Sequence, residues 1–213
     1  MVRYVMVIDL KRCIGCQACM VACKVENSLP PEIKWSKVSD SPNGKYPDTN
    51  RDFLPMLCMH CDSPPCVDTC PTGASRKRAD GIVLVDYNKC IGCRSCILAC
   101  PYEINCFYDN KVSYFPAGFI PPEKSGYIRH RVGTAQKCTF CAHRVDKGVK
   151  NGQKPGVDWD ASPACVNACP TGARIFGDLN VANSELRRLI RSRQGYQLQP
   201  EAETRPSVYY LGA

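Results

Sequence analysis

Apolar positions alternate through Arg3 to Leu10 and again through Gly81 to Asp86, the two-residue period of a strand, and each run delivers the chain to a cysteine-rich segment. Between Arg78 and Gly81 the sequence RADG predicts the turn that precedes the second strand. Cys19 to Glu26 and Cys96 to Cys100 read as helical turns. Pro71, Pro101 and Pro170 then redirect the chain after Cys70, Cys100 and Cys169, whereas Lys24 after Cys23 lets the first helix continue. RIFGDL, residues 174–179, predicts another strand. Leu186, Leu189 and Ile190 at helical spacing predict an amphipathic helix over Asn183 to Arg193. The tail, 196–213, reads as extended, with PSVYYLG expected to dock on a partner. The fold class this implies is α+β, with short strands and short helices.

The cysteines impose a second order on that pattern. CIGCRSCILACP, from Cys90 to Pro101, has the spacing of the bacterial [4Fe–4S] ferredoxin ligand run, whose fourth cysteine ligates a neighbouring cluster. Residues 9–23, DLKRCIGCQACMVAC, align without a gap on residues 86–100, DYNKCIGCRSCILAC, with eight of fifteen positions identical. Residues 63–74, SPPCVDTCPTGA, match residues 162–173, SPACVNACPTGA, at nine of twelve. Two units therefore recur in the order A, B, A, B, as a duplication would leave them. Sixteen of the seventeen cysteines fall into four groups: Cys13, Cys16, Cys19, Cys23; Cys58, Cys61, Cys66, Cys70; Cys90, Cys93, Cys96, Cys100; and Cys138, Cys141, Cys165, Cys169. Gly15 and Gly92 stand between the first two cysteines of each A unit, where a missing Cβ permits a tight turn and close approach of N–H groups to sulfur.

Composition narrows the chemistry. A length of 213 residues allows one large domain or two small ones, and a hydrophobic share of 44% argues against disorder. An odd cysteine count and C-x2-C cores speak against a secreted disulfide framework. Tetrahedral zinc is the nearer rival, which C-x2-C-x2-C-x3-C-P does not suit. The formal charge of +8 invites nucleic acid or an anionic surface. Sixteen thiolates around four oxidised cores at about +2 each would return the loaded chain to near neutrality, so no nucleic-acid partner is expected. Lys11, Arg12, Lys24, Lys89, Arg94, Lys137 and Arg144 adjoin cysteines and are candidate counter-charges. MVRYVMVIDL lacks a cleavage site, and no run approaches the roughly 20 apolar residues of a membrane helix.

Three insertions separate the units: 24–57, rich in turn formers; 101–137, with Tyr102, Phe107, Tyr108, Tyr114, Phe115, Phe119 and Tyr127; and 142–164, with KGVKNGQKPGVDWD. Loops this long are expected to cover clusters or meet partners. His60 and His143 adjoin cysteines but are expected to be hydrogen-bonding neighbours rather than ligands. Cys106, the seventeenth cysteine, is expected to be a buried free thiol. No nucleophile–base pair, phosphate loop or flavin motif occurs, so no catalytic residue and no direct small-molecule substrate are expected.

From Tyr4 to about Tyr210 the chain resembles the iron–sulfur electron-transfer subunits of membrane-linked molybdopterin oxidoreductases, among them dimethyl sulfoxide, polysulfide, thiosulfate, tetrathionate and arsenate reductases. IDLKRCIGCQACMVACKVEN, CMHCDSPPCVDTCPTGA, KCIGCRSCILACPY, KCTFCAHRVDKG and PACVNACPTGARIFGDL carry the likeness. The resemblance implies a wire of four [4Fe–4S] clusters. Its ligand sets would be Cys13, Cys16, Cys19 and Cys169 for the first; Cys23, Cys138, Cys141 and Cys165 for the second; Cys58, Cys61, Cys66 and Cys100 for the third; and Cys70, Cys90, Cys93 and Cys96 for the fourth. The nineteen residues between Cys70 and Cys90 have the local layout of a bacterial ferredoxin, which on its own supports pairing the inner groups. Two ferredoxin-like modules nested in sequence follow: an outer one from 1–50 and 130–180, an inner one from 51–110, with an insertion at 111–137 and a C-terminal helix and tail at 181–213. The implied partners are a molybdopterin catalytic subunit near the first cluster and a membrane quinone-reactive subunit near the fourth. The implied setting is a peripheral membrane complex on the periplasmic face, reached by export with the catalytic partner, with the cytoplasmic face an alternative. The same wire run oxidatively, from arsenite, formate or an acyl-CoA compound, and a free polyferredoxin are the other readings.

Overall fold

The computed structural model describes residues 1–182 and 184–212. Its strands are β1 (Tyr4–Asp9), β2 (Ser36–Lys45), β3 (Asp48–Leu57), β4 (Ser75–Lys77), β5 (Val83–Val85), β6 (Cys106–Tyr108), β7 (Thr134–Gln136), β8 (Arg174–Asp178) and β9 (Val208–Leu211). Its α-helices are α1 (Ala18–Glu26), α2 (Pro65–Asp68), α3 (Ser95–Leu98), α4 (Pro121–Gly126), α5 (Ala142–Lys150), α6 (Ala164–Asn167) and α7 (Glu185–Ser192). Strands and helices mix throughout, an α+β fold. Among the described residues no helix is long and apolar enough to cross a membrane.

β1 lies at the centre of the largest sheet, antiparallel to β8 on one side and parallel to β9 on the other. Every residue of β1 is buried, so the half-buried alternation read from the sequence gives way to a strand covered on both faces. Tyr4, Met6 and Ile8 enter the main core, and Val5 and Val7 face a smaller core with Leu186 of α7 and Leu211 of β9. Ser184 caps α7 by accepting from the Arg187 N–H at 3.3 Å. Asn183, the expected first residue of that helix, lies outside the described residues, as does Ala213 of the tail.

The tail corrects its expected role. Val208, Tyr210 and Leu211 are fully buried against β1, and the Tyr210 hydroxyl donates to Pro55 O at 2.8 Å, so PSVYYLG docks on its own chain. The turn-rich stretch inside 24–57 is also more regular than its composition suggests. β2 and β3 pair residue for residue from Ser36↔Leu57 to Lys45↔Asp48. Their outer halves are exposed, where polar side chains and glycine cost little packing, and only the root near Ser36 and Leu57 enters the core. The expected module boundary at 50/51 therefore falls inside β3. Insertion 142–164 opens with α5. Insertion 101–137 holds β6, α4 and β7, with Tyr102, Tyr108 and Tyr127 buried and Tyr114, Phe115 and Phe119 at the surface.

The repeated sequence units take the same pairing in both places. Ser75 opposes Val85 and Arg76 opposes Leu84 in the β4–β5 hairpin. The positions equivalent to these under the two repeats are Arg174 opposing Ile8, and Ile175 opposing Val7, between β8 and β1. Helix α2 packs on α3 as α6 packs on α1. Arg78, at the β4–β5 turn, ties the two copies with a two-pronged hydrogen bond to Asp146 of α5 at 2.8 and 2.6 Å.

Truncating Tyr210 removes a buried aromatic ring and the bond to Pro55 together. Tyr210→Ala is expected to lower stability by about 3–5 kcal/mol, read as a large fall in the thermal melting temperature, whereas Tyr196→Ala at the partly exposed neighbouring ring should cost far less.

Candidate metal centres

The two A units start from the same backbone device. Gly15 and Gly92 sit at φ +67° and +74°, followed two residues later by Gln17 and Arg94, themselves left-handed at φ 60° and 62°. A side chain at Gly15 would strike the Phe53 ring, and one at Gly92 would strike Gly133 O at 2.5 Å. Each A loop thus coils tightly under an insertion, so the missing Cβ admits a covering loop as well as the turn.

Three quartets of cysteines each surround one cavity. Cys58, Cys61, Cys66 and Cys100 line about 320 Å³ of space with Pro64 and Tyr102. Cys70, Cys90, Cys93 and Cys96 line a similar one with Thr72 and Arg94. Cys23, Cys138, Cys141 and Cys165 line a third with Asn27 and Trp35. Cys13 lies within electrostatic reach of Cys19 and Cys169, while Cys16 faces solvent. In each of the three cavities one thiol comes from a segment distant in sequence from the other three. Among the described residues, no three Cys, His, Asp or Glu side chains converge tightly enough for a single ion; each of these three quartets encloses a space instead.

Burial and mutual repulsion oppose ionisation of these thiols. Burial, then Cys58, pushes both Cys61 and Cys66 up to about 12. Burial, then Cys165, does the same for Cys141, and burial raises Cys23 and Cys138 as well. Such thiols stay protonated at neutral pH unless a metal takes the proton's place, so a cationic metal–sulfide core suits the donor set. Hydrogen-bond donors for the resulting thiolates are already in position. Backbone N–H groups reach sulfur from His60 to Cys58 at 3.5 Å, Ser75 to Cys70 at 3.4 Å, Phe140 to Cys138 at 3.4 Å and Ala173 to Cys169 at 3.2 Å. Asn27 Nδ2 donates to Cys23 Sγ at 3.7 Å.

The closing cysteine of each B unit behaves differently, as does exposed Cys93 beside Ser95. Burial pushes Cys70 and Cys169 up, but the N–H groups of Ser75 and Arg174, further N–H groups of the PTGA turn and the hydroxyls of Thr72 and Thr171 outweigh it and hold both below the ordinary thiol value. Thr72 Oγ1 is 3.8 Å from Cys70 Sγ and Thr171 Oγ1 3.7 Å from Cys169 Sγ. Proline after the cysteine marks these turns only as a change of chain direction; the repeated Thr two residues after the cysteine is the signal that could have disclosed the donor.

Most of the expected counter-charges are engaged elsewhere. Arg12 pairs with Asp9, Arg94 with Asp109 at 2.7 Å while lying over the Phe107 ring, and Arg144 with Glu26 at 3.0 Å. Lys24 caps the carbonyls of Pro30 and Pro31 at 2.9 Å, which makes it a loop clamp. Lys137 is buried, bonded to the carbonyls of Val83 and Cys138, and its charge favours the Cys66 thiolate. Arg174, absent from the sequence-based set, is buried with Nη1 3.7 Å from Cys165 Sγ. The ring of His60 is buried and neutral, accepting at Nδ1 from the Val83 N–H at 3.0 Å, so its backbone rather than its ring reaches sulfur. His143 is half exposed and bonds Glu26 at 2.6 Å, away from any thiol. Cys106 is only part-buried, its thiol directed at Lys34 O at 3.3 Å.

The threonine hydroxyls yield a paired expectation. Thr72→Val and Thr171→Val each remove one donor to sulfur, so each should lower a single cluster potential, because hydrogen bonds to sulfur favour the more negative reduced state. A redox titration followed by electron paramagnetic resonance reads this. The same cluster responding in both variants would contradict the separate seats of Cys70 and Cys169.

Comparison with known proteins agrees with this donor set. Residues 12–74 and 89–173 each match the 4Fe-4S dicluster domain, and residues 49–115 match a second family of the same description. The arsenate respiratory reductase iron–sulfur subunit of Shewanella sp. (strain ANA-3) is 37% identical over 98% of this chain and 96% of its own. A tetrathionate reductase subunit from Salmonella typhimurium is 39% identical, over 99% of this chain and 72% of its own. The iron–sulfur cluster-binding subunit of menaquinone reductase from Nitratidesulfovibrio vulgaris is 39% identical, over 99% and 89%. Two dicluster units make four [4Fe–4S] clusters, and the chain belongs to the 4Fe-4S dicluster family of iron–sulfur subunits of reductases such as these.

Proposed function

We propose that this chain is the electron-transfer subunit of a respiratory oxidoreductase, relaying electrons between a molybdopterin catalytic subunit and a membrane quinone-reactive subunit. The observation that carries this reading is the order of the thiol groups. Cys165 of one quartet feels Cys19 of the next, and Cys138 feels Cys58, while Cys96 and Cys100 stand one helical turn apart on α3 and its end. That order supports a line in which Cys13, Cys16, Cys19 and Cys169 hold the first cluster. Cys23, Cys138, Cys141 and Cys165 hold the second, Cys58, Cys61, Cys66 and Cys100 the third, and Cys70, Cys90, Cys93 and Cys96 the fourth. The matching strand registers support two nested modules, the outer built from both ends of the duplication and the inner from its middle.

A [4Fe–4S] cluster, when bound, accepts and donates one electron at a time. The chain insulates the middle of the line, burying Cys23, Cys138, Cys141, Cys165, Cys58 and Cys61, and leaves Cys16 and Cys93 exposed at its ends. On the same A units Ile14 and Val21, and their repeat equivalents Ile91 and Leu98, are all exposed. Exposed apolar side chains on the same units as the accessible cysteines suit docking of a partner at each end. The names of the relatives span both directions of flow: arsenate and tetrathionate reductases reduce those substrates, whereas menaquinone reductase is named for a quinone acceptor, so the reductive reading and its oxidative alternative share the same wire. The side of the membrane follows from the resemblance alone, which favours the periplasmic face, with the catalytic partner supplying export.

Anaerobically isolated protein is expected to contain about sixteen irons and as many sulfides, four per cluster. Iron near eight, or stoichiometric zinc, would sink the four-cluster line. Cys23→Ser separates the nested ligand sets from a sequential one: the signal of the cluster held by Cys138, Cys141 and Cys165 should vanish or change, while the one capped by Cys169 persists. Loss confined to the cluster of Cys13, Cys16 and Cys19 is the contrary result.

A further inference from the structure

Arg174 starts β8, opposite Ile8 of β1, and only 3% of it is exposed. A charge so placed is expensive unless it is matched. No carboxylate among the described residues pairs with it. Its partners are soft or neutral: Nη1 stands 3.7 Å from both Cys165 Sγ and Met6 Sδ, and Nη2 donates to Ser36 Oγ at 3.1 Å. Burial works against its charge, and the thiolates of Cys165 and Cys19 outweigh that. These two thiols belong to neighbouring quartets, so one guanidinium touches Cys165 of one and lies within electrostatic reach of Cys19 of the other. The repeat sharpens the point. The equivalent residue of the other B unit is Ser75, which is buried and places no charge beside its sulfurs.

We propose that Arg174 sets the potentials of the first two clusters: its fixed buried charge, in contact with a ligand of the second cluster and near one of the first, favours the reduced state of both. This rests on the ligand sets proposed above. Reduction adds one electron to a cluster and moves no proton at Arg174, because a guanidinium stays charged throughout. The protein screens that charge little, since the contact is buried, and the effect fades with distance. The first and second clusters therefore feel it, and the third and fourth do not. Arg174 is a positioning residue for electrons and touches no substrate.

The test is a potentiometric titration of the intact complex, with dithionite as reductant and electron paramagnetic resonance as the readout. Arg174→Met should lower two of the four cluster potentials and leave two in place, with iron content unchanged. Arg174→Lys retains the charge and should keep all four near their native values, which also serves if the Met variant fails to retain its clusters. Four unmoved potentials in an iron-replete Met variant would overturn the proposal. So would a fall in the Lys variant, or a shift in the clusters held by Cys58 or Cys90. Iron analysis of the unmodified complex is read separately: a count far from sixteen refutes the four-cluster reading rather than this role for Arg174.

Discussion

Sulfur atoms that burial makes reluctant to ionise must nevertheless be held as thiolates, four at a time, inside a small protein. That conflict shapes the rest of the structure. Bringing Cys23, Cys138, Cys141 and Cys165 together without a metal leaves only protonated thiols and repulsion, so the assembled core is stabilised through what it binds. The remaining devices work on the same charge from outside the ligand set: N–H groups, the Asn27 amide, two threonine hydroxyls and a buried guanidinium each supply positive potential at sulfur.

One two-helix, two-strand unit meets that constraint twice, with the same strand register and different closures. In one copy β4 and β5 are joined by a tight turn, so the pair forms from neighbouring residues. In the other, β1 and β8 lie more than 160 residues apart along the chain, and the pair needs β9, α7 and the Tyr210 anchor to cover it. The second copy also carries Arg174 where the first has Ser75. Duplication fixed the architecture, and divergence at single inward-facing positions made the electrostatics of the two halves unlike.

What can be read from the sequence is what the chain must satisfy locally. Ligand spacing, the left-handed glycines and the short strands before Cys13 and Cys90 are set by neighbouring residues, so they are legible. The hairpin over 36–57 is not, because ladder hydrogen bonds hold its exposed part and its side chains carry no apolar signal. The tail reads as a free docking segment because PSVYYLG is equally apolar whether it meets a partner or β1. Arg174 is invisible for a similar reason: an arginine after PTGA looks like any surface cation until the opposing strand shows that it turns inward. Conversely Arg12 and Arg144 look like cluster counter-charges until their own carboxylates appear.

The parallel seat of β9 against β1 also orders the birth of the molecule. On the ribosome β1 emerges long before either strand that flanks it, at 174–178 and 208–211. Cys23 likewise waits for Cys165. The middle of the chain has no such wait, since β4, β5, α2 and α3 lie within residues 65–98. Synthesis thus separates the two copies in time: one has its scaffold while the other is still an open apolar strand in need of shielding until β8 and β9 shut it away.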